Sequence, residues 1–65
     1  MGMEAVIKSF EPAMMDLARR ASQGDENVPV CLIGYMGANR MIANELQELY
    51  DTCAEKVARE QSVAA

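Results

Sequence analysis

Between Asn27 and Asn39 the chain carries no charged side chain, although one residue in four overall is Asp, Glu, Lys or Arg. Eight residues of that run are apolar: Val28, Val30, Cys31, Leu32, Ile33, Tyr35, Met36 and Ala38. A chain of 65 residues has little interior in which to bury such a block. A core of this size supplies only about 3–5 kcal/mol unless a disulfide, a metal or oligomerisation adds to it. The run is therefore expected to pack against a second copy of the chain or against another protein.

The first two supports fit this sequence poorly. It has two cysteines, no histidine and no Cys-x-x-Cys spacing, whereas a structural zinc normally takes four nitrogen or sulfur ligands. No metal and no cofactor is expected. Cys31 and Cys53 read as buried thiols, with a bridge between them the less favoured alternative, and so sparse a use of cysteine suggests a reducing, cytoplasmic setting. Oligomerisation is the support left.

The missing histidine also removes the Ser-His and Cys-His arrangements of nucleophilic catalysis. A lysine-activated substitute would need Lys8 or Lys56 in an apolar pocket, so no enzyme is expected. Ten acids against six bases leave a charge of −4, which offers no general attraction to nucleic acid or an anionic membrane. No apolar stretch approaches the roughly 20 residues that span a bilayer. The N-terminus also lacks the basic-then-apolar pattern of a signal peptide.

Apolar Phe10, Met14, Leu17, Ala18 and Ala21 recur at helical spacing, with Ser9 as a candidate N-cap and Pro12 in the first turn. Arg19 and Arg20 suit the C-terminal end of the helix dipole and Gly24 is a natural stop, which predicts a helix over 10–23. Asn27 before Val28-Pro29 reads as a further cap. Met41, Ile42, Leu46, Leu49, Tyr50, Cys53 and Val57 form one stripe and predict a helix over 39–60. The ends, 1–8 and 61–65, are expected to be flexible, although Met3, Val6 and Ile7 could extend the first helix or form a short strand.

Three structures compete for 28–38. The leading one is a continuous helix from Val28 to about Glu60. In it Val28, Leu32, Tyr35, Asn39, Ile42, Leu46, Leu49 and Cys53 make an unbroken heptad seam with Asn39 at a register-fixing position. The second breaks the helix at Gly34–Gly37, because each glycine costs roughly 1 kcal/mol in a helix interior. The third makes 28–36 a buried strand, which its valines and isoleucine favour.

The expected fold class is thus all-α: a helix–turn–helix hairpin, with helices 10–23 and 28/39–60, assembling as a dimeric or higher-order bundle. Leu32, Tyr35, Asn39, Ile42, Leu46, Leu49 and Cys53 are the candidates for self-association. Ile33 and Met36, with the acidic face of Glu45, Glu48 and Asp51, are the candidates for a second protein. The expected role is that of a non-enzymatic regulator, inhibitor or adaptor acting through protein contacts. The alternative is binding of a nucleic acid or nucleotide by Arg19, Arg20 and Arg40, the last following glycines that could open a helix N-terminus toward an anion.

Two resemblances bear on that alternative. Glu48-Leu49-Tyr50-Asp51-Thr52-Cys53 is similar to a segment near the end of the second helix in the Rop family of plasmid copy-number regulators. Those are helical hairpins that dimerise into four-helix bundles and bind paired RNA loops. They have no counterpart of the uncharged 27–39 insert. Ala5 to Asn27 resembles in outline the strand and first helix of ribbon–helix–helix repressors, which implies a strand over Ala5–Ser9.

Overall fold

The computed structural model describes residues 2–64. It consists of helix α1 (Met3–Lys8), α2 (Glu11–Ser22), α3 (Val28–Ala38), a single 3-10 turn (Arg40–Ile42) and α4 (Ala43–Ala64). No strand occurs among the described residues, so the fold is all-α as expected, and neither 28–36 nor Ala5–Ser9 is extended.

The bounds of α2 fall within one residue of those predicted, but its start differs. Phe10, not Ser9, occupies the N-cap position and makes no side-chain cap. Because α1 precedes it directly, the chain enters through a tight corner in which the Phe10 amide donates to the Ile7 carbonyl at 3.0 Å. The Ser9 hydroxyl instead donates back to the Val6 carbonyl and closes α1. At the other end Gly24 takes φ 86°, a conformation glycine adopts without a Cβ penalty. The amides of Gly24 and Asp25 then donate to the carbonyls of Ala21 and Arg20, each at 3.0 Å, completing a Schellman stop.

Asp25 ties this stop to the next helix. Its carboxylate accepts the Asn27 amide at 2.9 Å and the Arg20 Nε at 2.9 Å. The Asn27 amide, then Arg20, holds the Asp25 carboxyl below its ordinary pKa of 3.8. A carboxyl whose folded pKa is depressed stabilises the fold above the unfolded pKa and loses that contribution as pH falls through the folded value. Urea unfolding of Asp25→Asn should therefore start from a lower midpoint at neutral pH and meet the wild type once the medium drops below the ordinary carboxylate range. An unchanged gap in acid would remove Asp25 from this role.

Asn27 stands at the N-cap position of α3, but its side chain caps nothing; its carbonyl accepts from Cys31 at 3.0 Å. Gly34 and Gly37 lie inside α3, as in the leading alternative, and the second alternative's break at the glycines is misplaced. It falls instead at Asn39, with φ −128° and ψ 52°. There the backbone amide and the side-chain amide both donate to the Tyr35 carbonyl, at 3.0 and 2.9 Å.

This break overturns the continuous helix. Val28 packs in one cluster with Cys53 and Val57. Along an unbroken helix those residues would stand about 38–44 Å away, at about 1.5 Å per residue. Heptad spacing shows which side chains seek apolar cover, and here α3 doubles back so that the same chain provides much of it. The predicted two-helix hairpin is accordingly replaced by three packed helices preceded by the short α1.

Helices α2 and α4 run the same way. Gln61 donates to the Ser22 hydroxyl at 2.8 Å, and Arg19 meets Glu60 at 4.0 Å, both near their C-terminal ends. Helix α3 runs opposite to them: Val28 packs near Val57, whereas the Tyr35 ring meets the Phe10 ring edge-on at the start of α2. Met14, Leu17, Ala18, Val28, Cys53 and Val57 form the core, and Ile42 of the 3-10 turn and Leu46 in the first turn of α4 are also buried.

Candidate functional site

Helix α3 shows two unlike faces. Inward, Val28 is buried, and Cys31, Leu32 and Tyr35 pack against the core. Outward stand Pro29, Val30, Ile33, Gly34, Gly37 and Ala38, all exposed. None of these six side chains has a polar atom. Four of them, at positions 30, 33, 34 and 37, follow the spacing that places residues on one side of a helix. Val30 and Ile33 are each 69% exposed, and Met41, just past the helix, is 91% exposed. Single exposed apolar residues are ordinary on any protein, but a contiguous patch with no polar member marks a contact surface.

The two glycines within this face have no role inside the chain. A Cβ built at Gly34 or Gly37 meets nothing within 4 Å. Beside Gly34 lies an open groove of about 520 Å³, lined by Phe10, Cys31, Gly34, Tyr35, Ala38 and Asn39.

The residues expected to join two copies are placed largely within one. Ile42, Leu46 and Cys53 are buried, and Leu32, Tyr35 and Leu49 pack against the core. Asn39 is half-buried, its amide bonded to the Tyr35 carbonyl. Of the residues expected to meet a second protein, Ile33 stands at the middle of the outward face, while Met36 is half-buried. Glu48 and Asp51 are exposed on α4, Glu45 is half-buried there, and Asp51 accepts from Gln47 at 3.0 Å. Val30, Gly34 and Gly37 complete the face and are not among the expected contact residues. Their signal lay in the sequence as the repeat Val30, Ile33, Gly34, Gly37 taken by itself rather than as the remainder of a seam.

The three arginines are not brought together. Arg19 faces Glu60, and Arg20 pairs with Asp25 at 2.9 Å and Asp16 at 3.7 Å. Arg40 lies before the first residue of α4, so about 25 Å of helix separates it from the Glu60 that Arg19 faces. Burial pushes the Cys53 thiol above its ordinary pKa, which keeps it protonated and unreactive at neutral pH. Among the described residues no group of three or more carboxylates and cysteines is placed to hold a metal. No helix there is long and apolar enough to cross a membrane.

Comparison with known family models, characterised proteins and solved structures finds no match. The six residues similar to the Rop family, Glu48 to Cys53, lie in the middle of α4 rather than near a helix end.

Proposed function

We propose that this chain is a non-enzymatic binding protein, a small regulator, inhibitor or adaptor, that works by laying the outward face of α3 against another polypeptide. The observation that carries this reading is the exposure of Val30 and Ile33, with no polar side chain between them, on a helix that has a buried side available in its own core. A helix with one face in a core normally turns a polar face to water. Here both faces are apolar, and the free one keeps the composition of an interface centre, from which charged residues are depleted. Glu48 and Asp51 are exposed on α4, a different helix from that face.

A photoreactive benzoylphenylalanine placed at Ile33 tests the reading in cells producing the chain. Irradiation should give discrete adducts from position 33 and none from Thr52, which is exposed on α4. An absence of adducts at position 33, or the same ladder from both positions, would contradict it.

A further inference from the structure

We infer that the occupant of the outward face is a second copy of this chain, seated α3 against α3 across a two-fold axis with Gly34 and Gly37 at the crossing. The inference rests on the proposed reading of α3 as a docking face and names its partner.

Three observations bear on the occupant: the first and third call for a close partner, and the second favours a copy of this chain. The first is surface area. The chain exposes 4678 Å² for a mass of 7.1 kDa. Monomers of that mass expose roughly 4,100 Å². The excess of about 600 Å² is close to the roughly 800 Å² that each partner hides in a standard interface.

The second is charge. At −4 overall, two copies repel wherever their ordinary surfaces meet. A two-fold axis sets a patch against itself, so any charge on the patch would face its own image. The face running from Pro29 to Ala38 has none, which makes it self-compatible in a way the acidic surface of α4 is not.

The third is the glycine pair. Nothing in the chain approaches Gly34 or Gly37, yet each is a poor choice for a helix interior. Small residues on a helix surface let a second backbone come close, and a close crossing lets Val30 and Ile33 flank the contact on both sides.

Sedimentation equilibrium of the full chain from low micromolar to millimolar concentration tests this, alongside Ile33→Glu and, as a second variant, Val30→Glu. Both substituted positions are mostly exposed, so the variants should keep the wild-type far-UV circular dichroism. The wild type should move from 7.1 to twice that mass. Each variant should raise the dissociation constant by at least about tenfold, since symmetry buries two like charges at once. A dimer that both variants leave unchanged would place the contact elsewhere and overturn the inference. A chain monomeric throughout would also overturn it. In that case adducts of another mass from position 33 would leave the docking reading standing, and their absence would remove both. Flotation of the monomer with phosphatidylcholine vesicles, lost in Ile33→Glu, would reassign the face to a lipid surface and overturn both.

Discussion

Replacing Met14 by alanine should leave the isolated chain largely unfolded at 25 °C. Met14 has no exposed surface and stands in the core cluster with Leu17 and Ala18 of its own helix, Val28 of α3, and Cys53 and Val57 of α4. Removing so large a buried side chain costs about 2–5 kcal/mol, the lost transfer energy plus the cavity it leaves. A core of this size supplies about 3–5 kcal/mol in total, so the change is comparable to the whole. Far-UV circular dichroism of the dilute variant should lose most of its helical signal. Met14→Leu, which nearly conserves volume, should cost less than about 1.5 kcal/mol and keep it. If Met14→Ala melted within a degree or two of the wild type, the packing of α2 against α3 and α4 described above would be wrong.

The opposite sign is expected at the glycines. Joint replacement of Gly34 and Gly37 by alanine should raise the stability of the dilute chain by about 1–2 kcal/mol. Both residues have helical backbone and open space where a methyl would stand, so alanine adds no clash and reduces the freedom of the unfolded chain. In a domain of this size each kcal/mol moves the melting midpoint by about 4–8 °C. The same methyls would hold apart two helices that cross at those positions. A change that strengthens the fold should therefore weaken association, and no simple loss of structure has that signature.

Much of this was legible from residue spacing. The apolar repeat from Phe10 to Ala21, closed by Gly24, placed α2 to within a residue, because amphipathic period and a left-handed stop are local properties. The stripe from Met41 to Val57 likewise marked α4, whose buried positions Leu46, Cys53 and Val57 all lie on it, but its first member Met41 is 91% exposed and the α-helix begins at Ala43, after a 3-10 turn, rather than at 39. The path of 28–42 was not legible. Val28, Leu32 and Tyr35 continue the heptad register of α4 and would suit an unbroken helix. The turn at Asn39 is held by hydrogen bonds to Tyr35 and by the return of Val28 onto Cys53 and Val57. A long-range contact of that kind leaves no trace in local pattern. The glycines are breakers by helix propensity alone, as the second alternative had them, yet packing on α2 and α4 keeps α3 helical through both, as the leading alternative did. Ile33 was found as a contact residue because it lies off the seam. Val30 lies off the seam in the same way, and small Gly34 and Gly37 permit close backbone approach, but a face joining all four is recognised only once the helix has bounds.

The central claim is that the outward face of α3 meets another chain, and its most direct measurement is thermal melting across concentration for the wild type and the Gly34→Ala, Gly37→Ala variant. The wild-type midpoint should climb with concentration as the copies associate. The variant, ahead in dilute solution, should gain little and lose its lead at high concentration. Two midpoints that ignore concentration and keep a constant gap would show that no second copy seats on α3 at Gly34 and Gly37.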